Sequence, residues 1–176
     1  DKGASAGWYN LAEAHRLARE QGRTLETING DAFSEEIKQQ AVETLQQRVG
    51  KVDLLIYSLA APRRQGPDGT VWNSVLKPIG GSHASKTINL RSGAIEERTF
   101  DQATDEEIAD TLKVMGGEDW TAWVETLRDN DLLADRFRAV AYSYIGPQAT
   151  QAIYRSGTIG HAKEHLEATA LEMNAR

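Results

Sequence analysis

Two phenols and one ammonium stand close together late in this chain. Tyr144 lies in Ala141-Tyr142-Ser143-Tyr144-Ile145-Gly146, Tyr154 follows Ile153, and Lys163 closes Gly157-Thr158-Ile159-Gly160-His161-Ala162-Lys163. These types suit proton-coupled reduction. A phenol ordinarily gives up its proton only near pH ~10, so a tyrosine acting as an acid near neutrality benefits from a cation that stabilises its phenolate. Lys163 is the candidate cation. When hydride adds to the β-carbon of an α,β-unsaturated thioester, charge moves onto the carbonyl oxygen, and a donor aimed there lowers the barrier. Tyr144 and Tyr154 are the candidate donors. By type alone the same residues also read as a core-filling strand tyrosine, a half-buried aromatic and a solvated helix lysine.

Tyr154 and Lys163 have eight residues between them, which does not place them on one face of a continuous helix. A turn must intervene. Ser156-Gly157-Thr158 supplies it, so Lys163 is expected in the first turns of a helix from about Gly160 to Met173. Phe137 to Tyr144 is expected to be the strand that carries the first phenol to its carboxyl end.

Upstream, Leu11, Ala14, Leu17 and Ala18 recur at helical spacing between Trp8 and Glu20, with Asn10 a cap candidate and Gly22 a stop. Thr24 to Ile28 alternates as a short strand ending at Asn29-Gly30, which leaves Asp31 and Ala32 beyond it. Ser34 opens a helix with Glu35 and Glu36 in its first turn, an inward face of Ile37, Ala41, Val42 and Leu45, and an end at Gly50. Val52 to Leu59 is a continuous apolar run, as expected of a strand buried on both faces of a parallel sheet. Strand, helix, strand is the unit of a doubly wound α/β sheet, whose ligands lie beyond the strands' carboxyl ends. Asp31-Ala32 and Leu59-Ala60 both fall there: small residues admit a cofactor to the backbone, and Asp31 suits either a ribose or adenine hydrogen bond or a helix cap.

Pro62 to Gly81 reads as a long loop near the site's rim, where Arg63 and Arg64 either meet phosphates or are solvated. Residues from about 86 to 100 read as an inserted β-hairpin turning at Ser92-Gly93. Two helices follow, about Thr104 to Met115, opened by a Thr-x-x-Glu capping box, and Glu118 to Asn130, with Trp120 and Trp123 as core anchors. The glycine-rich turn that holds a pyrophosphate in a complete dinucleotide site is not found in the sequence.

The 176 residues, with 40% apolar content and net charge −6, suffice for one domain with a real core. Dispersed basic residues argue against nucleic-acid binding. Absence of cysteine excludes disulfides and thiolate chemistry. His161 and His165 have chelating spacing but no third ligand nearby, so no metal is expected. The longest apolar run, about Leu54 to Ala61, is far short of a membrane span. The opening Asp1-Lys2-Gly3-Ala4 has no signal-peptide pattern, and together with the end at Asn174-Ala175-Arg176 it reads as part of something larger.

The tyrosine-lysine spacing resembles the bacterial trans-2-enoyl-CoA reductases, also called FabV-type enoyl-acyl carrier protein reductases. The resemblance extends through Ala6-Gly7-Trp8-Tyr9-Asn10, Ile28-Asn29-Gly30-Asp31-Ala32-Phe33, Tyr57-Ser58-Leu59-Ala60-Ala61-Pro62-Arg63-Arg64, Leu76-Lys77-Pro78 and Val114-Met115-Gly116-Gly117-Glu118-Asp119-Trp120. It implies an incomplete Rossmann-like doubly wound parallel sheet, a single partial dinucleotide-binding domain over 1–176 lacking N- and C-terminal parts. It implies NADH as cofactor, with Asp31, Ala32, Leu59 and Ala60 lining its adenine and ribose parts. Tyr154 and Lys163 are then catalytic, Lys163 also holding the nicotinamide ribose, and Tyr144 meets the thioester carbonyl of an enoyl-CoA or enoyl-acyl carrier protein. A monomeric cytoplasmic parent enzyme of fatty-acid synthesis is expected. A short-chain dehydrogenase acting on a ketone or alcohol, or a non-catalytic α/β fragment, would carry similar motifs.

Overall fold

The computed structural model describes residues 5–144 and 146–175. Ile145, which the tyrosine stretch includes, lies outside the described residues. The chain forms two compact units, Asp1–Gly30 and Asp31–Arg176.

In the first unit, α1 spans Ala6–Glu20. Its cap is Ser5 rather than Asn10: the Ser5 hydroxyl accepts the Trp8 amide, which moves the start one turn upstream of the sequence expectation. Arg16 holds Glu13 at 2.5 Å and also pairs with Glu20 on the helix surface. Thr24 to Ile28 is non-helical but joins no ladder among the described residues. Alternation alone does not make a strand, because the backbone donors and acceptors need a partner edge.

The second unit opens with α2, Glu35–Arg48, capped as expected by Ser34, whose hydroxyl accepts the Ile37 amide. The strand β1, Val52–Tyr57, runs parallel to β6, Leu133–Ala141. Leu55 lies opposite Ala139 and Tyr57 opposite Ala141, with a register shift between Val52 and Leu54. Between them come β2, Arg63–Gln65, paired antiparallel with β3, Val71–Asn73, and the hairpin of β4, His83–Ile88, and β5, Ile95–Phe100. Then follow α3, Asp105–Met115, and α4, Glu118–Asp129. A short 3-10 turn at Gln148–Thr150 precedes α5, Thr158–Asn174.

The expected α/β class, an incomplete Rossmann-like parallel sheet with an inserted hairpin, is therefore the one adopted. Helices cover one face of the parallel pair. Val42 of α2 and Leu127 of α4 pack with Leu132, Leu55 and Phe137, while Trp120 of α4 and Leu166 of α5 pack on Tyr57, Ala139 and Ala141. Leu54, Ile56 and Val140 on the opposite face are 50%, 53% and 47% exposed. The expectation that β1 is buried on both faces thus fails for the chain as it stands: a continuous apolar run marks a two-sided strand, but one side has no cover among the described residues.

The capping box is present at α3, with the Thr104 hydroxyl accepting the Glu107 amide and the Glu107 carboxylate accepting the Thr104 amide. The segment read as an unstructured loop contains β2 and β3, whose three-residue length is too short to show a period. Their connection is built by Asp68, whose carboxylate accepts both the amide and hydroxyl of Thr70, and by Gly69 at φ 85°.

Candidate active site

The turn that the Tyr154–Lys163 spacing requires is present. The Tyr154 carbonyl oxygen accepts the amides of Gly157 at 3.2 Å and Gly160 at 2.8 Å, so the backbone of Tyr154 is tied to the first turn of α5. A Cβ at Gly160 would overlap the carbonyl oxygens of Arg155 and Tyr154, which explains why glycine is needed at a residue of ordinary helical backbone. The start of α5 is in turn fixed to the Val75–Pro78 segment. Thr158 donates its amide to the Lys77 carbonyl at 3.0 Å and its hydroxyl to the Val75 carbonyl, and Gly157 bridges Pro78.

Tyr144 and Tyr154 are edge to face, with ring centroids 5.4 Å apart. β6 ends at Ala141, three residues earlier than expected, so Tyr144 stands beyond the strand on non-repetitive backbone and is half exposed. Among the described residues neither tyrosine hydroxyl has a hydrogen-bond partner, which leaves both available to a ligand. Lys163 is 7% exposed, and its ammonium donates to the Tyr142 carbonyl at 3.4 Å rather than to either phenol. Burial holds its pKa below the ordinary lysine value.

Asp31 and Ala32 precede α2. The Asp31 carboxylate accepts the Phe33 amide at 3.0 Å through Oδ1, an Asx turn that sets up the Ser34 cap. Its Oδ2 has no partner among the described residues and the residue is exposed. Leu59 is half-buried and Ala60 exposed just past the end of β1. An exposed carboxylate oxygen and two alanines without bulk fit the adenosine end of a dinucleotide. The pyrophosphate end has no counterpart: among the described residues no glycine-rich turn joins a strand to a helix. Gly116 and Gly117 instead admit α5 closely, since a Cβ at either would press on His165 or Thr169. His165 accepts the Gly117 amide at Nδ1, 3.0 Å away, so that nitrogen is committed to packing α3 against α5.

One set of residues was not anticipated. Lys38 of α2 is 2% exposed and its ammonium lies 3.0 Å from Oδ1 of Asp119, itself 1% exposed. Tyr57 donates its hydroxyl to Asp119 Oδ2 at 3.1 Å. Arg64, expected to be solvated or to meet phosphates, is buried beside them. It donates to the Lys113 carbonyl at 2.9 Å and to Glu118 at 3.1 Å, while Arg63 is exposed. A guanidinium follows a strand edge into the interior when carboxylates wait there. Burial raises the Asp119 pKa against the pull of Lys38 and Arg64, and burial with the adjacent carboxylate raises that of Tyr57. The signal for Lys38 was present in its position four residues before Val42, on the apolar stripe of α2.

The parallel pair with helices on it, and the phenols and lysine beyond the carboxyl end of β6, define an α/β protein of the Rossmann-like class. Residues 2–176 match the family described as the trans-2-enoyl-CoA reductase catalytic region, and the chain belongs to that family. It is 49% identical over 175 residues to a trans-2-enoyl-CoA reductase [NADH] of Ruminiclostridium cellulolyticum, covering 99% of this chain and 44% of that protein. It is 50% identical to an enoyl-[acyl-carrier-protein] reductase [NADH] of Idiomarina loihiensis, covering 99% and 45%. The crystal structure of Treponema denticola trans-2-enoyl-CoA reductase in complex with NAD superposes with a TM-score of 0.91 at 50% identity, covering 96% of this chain and 43% of that one. The chain thus spans less than half the length of the relatives it matches. Among the described residues no helix is long and apolar enough to cross a membrane.

Proposed function

We propose that this chain supplies the acid-base residues and the adenosine-binding segments of an NADH-dependent reductase that acts on the trans-2 double bond of enoyl-CoA or enoyl-acyl carrier protein in fatty-acid synthesis. The observation that carries this reading is the coupling of Tyr154 to the start of the helix bearing Lys163, in a chain that matches the reductase family from residue 2 to residue 176. NADH, when bound, supplies the hydride that adds to the β-carbon of the enoyl thioester.

The chain's own residues manage the charge that results. Tyr144 donates a hydrogen bond to the thioester carbonyl oxygen, and Tyr154, edge to face with it, donates the proton as the enolate forms. Lys163 in its ammonium form lowers the cost of the Tyr154 phenolate and holds the nicotinamide ribose. Its burial, which weakens solvent screening, makes that single charge more effective. Asp31, Ala32, Leu59 and Ala60 line the adenine and ribose. Both units belong, in this reading, to one partial dinucleotide-binding domain of a monomeric cytoplasmic enzyme.

The test is NADH oxidation with crotonyl-CoA by the full-length protein carrying Tyr154→Phe or Lys163→Ala. Turnover should fall by about two to four orders of magnitude. Undiminished turnover overturns the assignment.

A further inference from the structure

We infer that Asp119 is a positioning residue for the dinucleotide site, acting from inside α4 to set the distance between the two segments that meet adenosine. This rests on the reductase reading above. Each segment is pinned to the same short stretch of α4, and by separate contacts. On the α2 side, Trp123 donates its indole N–H to the Ala32 carbonyl at 3.1 Å, and Lys38, whose ammonium lies against Asp119, donates to the Phe33 carbonyl at 2.9 Å. On the β1 side, Tyr57 donates to Asp119 two residues before Leu59 and stacks on Trp120, ring centroids 6.3 Å apart. Arg64, four residues after Ala60, brings a guanidinium nitrogen to 4.0 Å from Asp119 Oδ1 and packs against the Phe33 ring, 5.8 Å from its centroid.

The carboxylate is thus the common anionic partner of groups flanking both Asp31-Ala32 and Leu59-Ala60. No ligand could touch it, since it is 1% exposed. A buried ion pair of this kind is a poor source of net stability, because desolvating both charges offsets most of their attraction. What it does supply is direction: a carboxylate that accepts the Tyr57 hydroxyl at one oxygen and faces the Lys38 ammonium and the Arg64 guanidinium with the other admits few arrangements of its partners. In the proposed enzyme those partners carry the walls of the adenosine pocket.

The experiment compares full-length wild type with the double variant Lys38→Met/Asp119→Leu, which replaces the pair by apolar side chains of similar volume and is expected to stay folded. The result expected is a rise of about tenfold in KM for NADH, with kcat and KM for crotonyl-CoA within about twofold, and a lower melting midpoint, since the buried Tyr57 hydroxyl loses its acceptor. An unaltered NADH KM in the folded variant overturns the positioning role. So does a loss of kcat with no change in KM, as a mere fall in the folded fraction would give. Should the double variant not fold, Trp123→Phe removes only the Ala32 tether, and its NADH KM should rise about threefold; no rise is the overturning result. Wild type that does not oxidise NADH sinks the reductase reading itself, whereas active wild type with insensitive variants sinks only this inference.

Discussion

The Gly160 amide donates to the Tyr154 carbonyl oxygen at 2.8 Å, so a residue in the first turn of the helix that bears Lys163 holds the backbone of Tyr154. Eight intervening residues are thereby folded into a compact turn. Spacing that looks incompatible with a single helical face becomes a means of bringing two elements together.

Gly160→Ala should undo this arrangement. The added methyl has backbone carbonyls in its way rather than the flexible end of a side chain, so α5 must shift against Tyr154. We expect about 1–3 kcal/mol of destabilisation by denaturant unfolding. In the full-length protein kcat should drop by up to about a hundredfold, the order of effect of an ångström-scale misplacement of a reacting group.

Lys163 ties activity and stability to pH in opposite senses. Burial lowers its folded-state pKa, whereas the unfolded chain keeps the proton to about 10.4. Between those two values the unfolded state binds more protons, so stability rises with pH; below the lowered value the cost of burying the ammonium is present in full. In the proposed reaction Lys163 acts in its charged form, so turnover should fall on the alkaline limb at a pH below the ordinary lysine range. Lys163→Met should therefore be more stable at neutral pH by about 0.5–2 kcal/mol and lack the alkaline rise, as read by urea titrations at neutral and high pH, while losing turnover.

Leu54, Ile56 and Val140 make an apolar face that no helix among the described residues covers. The 176-residue chain produced by itself should self-associate through it. Size-exclusion chromatography with light scattering should give species larger than a monomer, and Leu54→Thr/Ile56→Thr should move the distribution toward monomer. A monodisperse monomer of the unaltered chain would count against this.

Much of this architecture was legible in the residues. Ser34, the Thr104–Glu107 box, the hairpin turning before Ala94 and the helix after Gly157 all follow from local chemistry, in which one side chain or one glycine decides the backbone nearby. Tyr144 was placed at a strand end and sits three residues past it, since strand ends depend on the partner's length. Arg64, read as solvated or phosphate-facing, is buried for a different reason: the carboxylates of Glu118 and Asp119, 54 and 55 positions further along the chain, meet it there, and no local pattern reports such a meeting. Lys38 does lie on the apolar stripe of α2, but its partner Asp119 is 81 positions away. The exposure of Leu54 and Ile56 was equally hidden, because an apolar run says what a strand tolerates and not what covers it.

The pairing of β1 with β6 also bears on how the molecule is made. Lys51 and Asp131, whose side chains meet at 2.6 Å at the mouth of this pair, are 80 positions apart. At synthesis rates of ~5–20 residues per second, the first strand therefore waits roughly 4 to 16 s before its neighbour has even been joined to the nascent chain. During that interval Val52–Tyr57 has both hydrogen-bonding edges open, and its leucines and isoleucine are exposed to other chains at the stage when association competes with folding.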